Sequence, residues 1–442
     1  MMAERQRRAL LVFLVILIFA LHVLYVLLVQ LPQRQVRLTG KKTDSGGLYQ
    51  LALFDDEIDY VNLAYHLSRQ GVFSLDGDKP TALRVPLFPL MLTPVFILTA
   101  DATWALGLNC LLAALTALGC YFLGKLYYSP RAGLMAMLIV GASPHTFNWL
   151  LWLQAEALLS CLLVFFLVSF TCLMRYQKSA YAGLSGVLAG LAGLARPEAV
   201  LLVPLYLGYL VYQGRFHRPV TLRLALVFTF AALGALTPWV ARNYVTLHYP
   251  GLSTLGGFTF AGGHNEKTLA AHRGSWYAFS AYASAAEINH TQHLDEVAFD
   301  RYLWQRGWRL LRRLTLAQFL YLELNKLHKT FKPSFRLWGK EYGRETLNLL
   351  LVTPYVLLYL VFGGLLLTLP FPRLRPRLPG SGLLLLALVV PLTVTLIFWG
   401  SIRFRTPYEP LAFTLCVPAT LINGGGKIII KWLGAQDPAI PR

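Results

Sequence analysis

Long apolar runs separated by short polar gaps make up most of the chain, and their lengths predict membrane-spanning helices. The first run, Ala9 to Leu31, follows Arg5, Arg7 and Arg8. It is longer than a signal-peptide core and lacks a small-residue cleavage site, so it reads as a retained span with its basic end in the cytoplasm. Further spans are predicted at 104–123, 132–152, 156–174, 182–196, 198–212, 224–244, 349–369, 382–399 and 408–430, about ten in all. Lys125 and Arg131, Arg175 and Lys178, Arg215, Arg218 and Arg223, and Arg373, Arg375 and Arg377 all fall in gaps assigned to the cytoplasm. This threading keeps both termini inside.

Two segments outside the spans are helical by pattern. Between Asp56 and Gln70, Ile58, Val61, Ala64, Tyr65 and Leu67 recur at helical spacing and Gly71 stops the run, which predicts an amphipathic helix along the outer face. Phe88 to Thr99 is too short to span, and with Pro86, Pro89 and Pro94 it suits a second interfacial helix. The chain thus divides into a membrane core, 1–244, whose first outer loop covers 32–103, a long outer loop, 245–345, and C-terminal spans, 346–442. The long loop opens with a Gly-rich part, Gly256 to Gly274, and continues as a helical part, Glu296 to His328, rich in Trp, Arg and Leu. That helical part suits either the outer leaflet or a packed subdomain.

Composition agrees with an all-α polytopic membrane protein: of 442 residues, 56% are hydrophobic and only 14% charged. The formal charge of +19 raises nucleic acid as a partner, but the Lys and Arg residues sit in gaps between apolar runs, where they orient spans and meet anionic lipid. Cys110, Cys120, Cys161, Cys172 and Cys416 lie scattered in apolar runs and read as core residues.

The acidic stretch Phe54-Asp55-Asp56-Glu57-Ile58-Asp59-Tyr60 then stands out, four carboxylates beside a membrane. Such charges repel one another and resist desolvation, which points to chemistry; the plain structural alternative is an acidic first turn of a helix. Charges within or beside apolar segments, Glu156, Arg196, Arg242, Arg403 and Arg405, face a cavity or a partner, or else anchor helix ends. His264 and Asn265 follow the double glycine Gly262-Gly263, which suits either close approach to a sugar or a simple turn. His290 and His293 lack a third ligand, and no metal site is assigned to them.

In order and sidedness these segments resemble the GT-C membrane glycosyltransferases, above all the protein O-mannosyltransferase-like family and the lipid A aminoarabinose transferases. The residues that carry the resemblance are Asp56-Glu57-Ile58-Asp59-Tyr60, Arg84-Val85-Pro86-Leu87-Phe88-Pro89, Glu156, Arg196-Pro197-Glu198, Pro238 to Tyr244, Gly262 to Asn265 and Arg403 to Pro407. The resemblance implies a GT-C-like helix bundle with a mostly helical outer loop. It also implies inverting transfer of a hexose or pentose from a polyprenyl-phosphate donor to a hydroxyl of a glycolipid, polysaccharide or protein on the outer face. The catalytic carboxylate of the family maps onto Asp56, with Asp55 as a competing candidate in this chain; Glu57 and Glu156 would assist. Arg84, Arg196, Arg242, His264, Asn265, Arg403 and Arg405 are the candidates for lipid phosphate and substrate. Phosphate leaves as a stable anion, so one base suffices and no cofactor is required, although Asp55, Asp56, Glu57 and Glu156 would also suit a divalent cation. The expected setting is a bacterial inner membrane with the site facing the periplasm. A lipid-linked sugar transporter or flippase, or a non-catalytic envelope scaffold, is the alternative; a transporter predicts repeated halves and midplane charges, whereas here the acidic cluster is interfacial and no repeat is evident.

Overall fold

Helices dominate the computed structural model, which describes residues 4–30, 53, 56–99, 101–212, 218–271, 274–332, 335–337, 340–342 and 381–414. Helix α1 (Glu4–Tyr25) runs into a π-helical turn at Val26–Gln30. The two interfacial helices expected from the sequence follow as α2 (Asp56–Gln70) and α3 (Leu87–Leu98). Helix α4 (Leu106–Tyr127) packs closely on α5 (Pro130–Gly141), which starts with Ser129 accepting the Ala132 N–H and Pro130 in its first turn.

The span expected at 132–152 is divided. α5 ends at Gly141 and a short helix, α6 (Pro144–Trp149), begins after it. Pro144 lacks the N–H that would continue the helix and drives Ser143 into extended backbone, ψ 133°. Helices α7 (Glu156–Tyr176), α8 (Ser179–Ala195), α9 (Leu202–Tyr212) and α10 (Arg218–Leu247) match the next four expected spans within a few residues. α8 and α10 touch backbone to backbone, since a Cβ on Gly186 or Gly190 would overlap the carbonyl of Phe228 or Ala232.

The insertion after α10 holds α11 (Gly256–Gly263), α12 (Glu266–Ala270), α13 (Ala285–Thr291), α14 (Glu296–Leu311) and α15 (Leu316–Phe331). A three-residue antiparallel pair, β1 (Phe335–Leu337) with β2 (Lys340–Tyr342), follows it in register Phe335 to Tyr342. The Gly-rich part is therefore helical and packed: Gly257 N–H donates to Asp300 Oδ1 at 2.5 Å, and Phe260 stacks on Trp304 at 4.4 Å. Helix α16 (Ser381–Ile397) and the short α17 (Ile402–Arg405) come next, and a helical stretch continues over 409–414. The span expected at 349–369, and that at 408–430 beyond residue 414, lie outside the described residues.

Four described helices are long and apolar enough to cross a membrane, with shorter apolar helices among them. The fold is that of an all-α polytopic membrane protein. One core cluster joins α4, α5, α7, α8, α9, α10 and α16 around Phe166, Phe170, Tyr206 and Phe228; a second packs α2 and α3 on α4 and α7 through Val61, Phe88, Phe96 and Leu158. The second cluster fixes the acidic helix start against the bundle.

Candidate active site

Asp56 opens α2, where the helix dipole favours carboxylates. Asp59 lies one turn on, so the two share a face, and Arg84 meets both: its Nη2 donates to Asp56 Oδ1 at 2.6 Å and to Asp59 Oδ2 at 2.8 Å. The other oxygen of Asp56 is taken by Arg403 on α17, Nη1 to Oδ2 at 2.9 Å. Arg403 also holds Glu156 Oε1 through Nη2 at 2.7 Å, and Arg196 donates to the same oxygen at 2.8 Å. Arg196 Nε closes on Glu198 at 2.5 Å, a local ion pair across Pro197.

The result is one alternating chain of seven groups, Asp59, Arg84, Asp56, Arg403, Glu156, Arg196 and Glu198, drawn from five stretches of sequence. Four carboxylates face three guanidiniums. Burial alone would raise the Asp56 pKa, but Arg84 and Arg403 outweigh it and hold the carboxyl well below the usual carboxylate range. Asp56 is therefore ionised and, while both oxygens are engaged, a weak base.

Asp56, Arg84, Arg196, Glu198 and Arg403 line a cavity of about 740 Å³, a size that suits an organic substrate. Trp149, Trp152, Phe258, Trp276, Phe398 and Trp399 supply aromatic wall, and Lys329 and Lys332 add cations. Lys329 Nζ donates to Ser275 Oγ at 2.7 Å and lies 5.9 Å from the Trp399 ring centre.

Several sequence candidates sit elsewhere. Glu57 points away from its neighbour, is fully buried, and accepts the Leu153 N–H at 2.8 Å, fastening α2 to the segment before α7. Successive helical residues diverge by about 100°, so adjacent carboxylates need not share a site. Arg242 donates to the Thr81 and Phe73 carbonyls at 2.7 and 3.3 Å and stacks on Trp239 at 4.9 Å, which fixes the backbone before Arg84. Arg405 is buried, paired with Glu409 at 2.9 Å and donating to the carbonyls of Thr330 and Lys332 at 2.9 and 2.6 Å.

His264 and Asn265 do not line this cavity. Asn265 caps α12 by accepting the Thr268 N–H at 2.9 Å. His264 Nδ1–H donates to the Phe260 carbonyl at 2.8 Å, while its Nε2 accepts from Lys326 Nζ at 2.7 Å. Burial and the Lys326 ammonium push its pKa down to about 3. The double glycine admits close packing within the protein instead: a Cβ on Gly262 would overlap Trp276 Nε1, and one on Gly263 would overlap the Phe398 carbonyl. Asp55 lies outside the described residues.

Sequence reasoning missed Glu296, which accepts from Thr81 Oγ1 at 2.6 Å, from the Ala82 N–H at 2.9 Å and from Thr254 Oγ1, and so clamps the segment that carries Arg84. A carboxylate at a helix start within a polar loop carries no signal of that role. Among the described residues no three His, Cys, Asp or Glu side chains are placed to hold a metal ion.

Part of this constellation lies within a family match, whereas Asp56, Asp59 and Arg403 lie outside it. Residues 78–241 match the model of the dolichyl-phosphate-mannose-protein mannosyltransferase family. The match includes Arg84, Glu156 and Arg196 and agrees with the resemblance read from the sequence. No curated protein matches the chain. Among solved structures, the apo oligosaccharyltransferase of Archaeoglobus fulgidus is similar at 13% identity and TM-score 0.49, over 86% of this chain and 48% of that one. The oligosaccharyltransferase AglB, also from Archaeoglobus fulgidus, in complex with an inhibitory peptide and a dolichol-phosphate gives 12% identity and TM-score 0.46 over 87% and 48%. ArnT from Cupriavidus metallidurans bound to undecaprenyl phosphate gives 13% identity and TM-score 0.37 over 95% and 78%. The chain spans about half the length of the oligosaccharyltransferase it matches.

Proposed function

We propose that this protein is a membrane glycosyltransferase that moves a hexose or pentose from a polyprenyl-phosphate donor to an acceptor hydroxyl, with inversion and with Asp56 as general base. The observation that carries the reading is a carboxylate held on both oxygens by guanidiniums at the wall of a large, aromatic-lined cavity in a membrane protein. Guanidiniums match phosphate oxygens in geometry and charge. A donor phosphate that draws Arg84 and Arg403 toward itself weakens their hold on Asp56, so donor binding raises the basicity of the base.

In the transfer step the acceptor oxygen bonds to the anomeric carbon, opposite the phosphate. The bond from that carbon to the phosphate oxygen breaks, its electron pair leaves with the phosphate, and the acceptor proton passes to Asp56. Arg84 and Arg403 supply positive charge to the departing anion, the kind of preorganised stabilisation that lowers such barriers most. Glu156 holds Arg403 in place and is itself held by Arg196, and the aromatic wall receives the sugar and the acceptor.

Sugars activated as lipid phosphates serve reactions where nucleotide sugars are absent, which favours the outer face of a bacterial inner membrane as the setting. The test is purified protein with a panel of polyprenyl-phosphate sugars and crude envelope as acceptor, following free polyprenyl phosphate. Release that depends on both donor and acceptor is expected. Donor binding with no release across the panel overturns the transferase reading.

A further inference from the structure

Helix α15 has two unlike faces. On one, Leu322, Glu323, Lys326 and Thr330 are buried. Lys326 Nζ donates to the Leu396 carbonyl at 3.3 Å, Ser401 N–H donates to Thr330 Oγ1 at 2.9 Å, and Arg405 reaches the Thr330 carbonyl at 2.9 Å. These bonds tie α15 to the end of the apolar helix α16 and to the segment that carries Arg403. From the same helix end, Lys329 and Lys332 face the cavity.

The other face is apolar and open. Leu316, Leu320 and Leu324, spaced four apart and so in one row, are 72%, 50% and 64% exposed, with Phe319 and Tyr321 beside them. The row belongs to a well-formed helix, since Thr315 and Gln318 close a capping box at its start. Exposed Trp308, Arg309, Arg312 and Arg313 stand just before it. Apolar side chains flanked by Trp, Tyr and Arg are the composition of a helix lying at a membrane surface, where aromatic rings sit at headgroup level and guanidiniums meet lipid phosphates.

We infer that α15 is an interfacial anchor seated in the lipid leaflet that borders the cavity, with anionic headgroups as its partner. The two fates open to the helical part of the outer loop are then divided between its helices: α14 packs on α11, and α15 lies on lipid. Because α15 also positions the Arg403 segment, the anchor fixes the height of the catalytic cavity above the acyl chains from which a lipid-linked donor must rise.

The test uses the full chain, with its native cysteines replaced, in nanodiscs of phosphatidylcholine alone or of phosphatidylcholine and phosphatidylglycerol in equal parts. Single cysteines at Leu320, Leu324 and, as a solvent-exposed reference, Gln292 carry a nitroxide. Labels at 320 and 324 should collide with dissolved oxygen and be shielded from a water-soluble nickel chelate, with the reverse at 292. Arg312→Glu with Arg313→Glu should reduce the depth of both labels in the anionic discs and leave it unchanged in the neutral ones. Labels at 320 and 324 as open to nickel as that at 292, or shielded from nickel and oxygen alike as under a protein partner, overturn the proposal. So does a depth indifferent to the charge reversal in anionic discs.

Discussion

Replacing Arg403 with Gln should weaken the leaving-group side of the site and shift its pH dependence together. In the resting state Arg403 sits 2.9 Å from Asp56 and 2.7 Å from Glu156. The substitution leaves four carboxylates facing two guanidiniums. Coulomb's law at the Asp56 separation gives about 6 kcal/mol at an effective dielectric of about 20 and about 1.4 kcal/mol in water. Both side chains are about a quarter exposed, 27% and 25%, which favours the lower part of that interval. About 2 kcal/mol moves the titration of Asp56 up by more than about one pH unit. The sign follows: a carboxyl held low by a cation is ionised across the working range, and loss of the cation lets protons compete for it at higher pH. The titration of Asp56 should therefore move upward, while turnover at neutral pH falls by about 10²–10³-fold for loss of one charge-stabilising donor. The carboxylate stretch followed by infrared difference spectroscopy under acid reads the first effect, and polyprenyl phosphate release at about pH 7 reads the second. Turnover that falls with no movement of the Asp56 titration would refute the coupling between Arg403 and Asp56.

Three further substitutions separate structural from chemical roles. Glu57→Ala leaves the buried Leu153 N–H without its acceptor and should cost about 1–3 kcal/mol in thermal unfolding, whereas Glu57→Gln keeps the oxygen and should keep turnover within a few-fold. Gly262→Ala forces its methyl into the Trp276 indole and should destabilise by about 1–3 kcal/mol, and Trp276→Phe in the same chain should recover part of that loss. Burial, with Glu296 nearby, pushes Asp300 up to about 6, so its ionisation opposes folding: the cost is absent below about pH 4, grows through pH 6 and is complete above it. Asp300→Asn should therefore stabilise this insertion by about 2 kcal/mol at pH 8 and leave it unchanged at pH 4, as read by hydrogen exchange of α11 and α14.

The elements that were legible are those with one dominant physical signal. α2 announced itself by an acidic first turn and a helical period, and α3 by prolines around an apolar run too short to span. Charges inside apolar segments marked Glu156, Arg196 and Arg403, because such residues must find partners, and the structure places all three in one ionic chain with Arg84 and Asp56. What escaped depends on direction and on distant contacts. Asp59 shares a face with Asp56 and binds the same Arg84, yet it was not among the candidates, whereas Glu57 was and turns into the core although it adjoins Asp56. Arg242 and Arg405 carry the charge of phosphate ligands but spend it on backbone carbonyls that only the folded chain brings near. The break before Pro144 is marked in the sequence only by that proline, and the continuous hydropathy across 132–152 masks it.

The most direct test of the account compares wild type with Asp56→Asn in donor binding and in polyprenyl phosphate release. Without the carboxylate, release should fall by about 10²–10⁴-fold, the usual contribution of a general base. Donor should bind as tightly or more tightly, because Arg84 and Arg403 are freed for phosphate. Turnover by Asp56→Asn at the wild-type rate, or a loss of turnover explained entirely by lost donor binding, would contradict the assignment of Asp56 as the base.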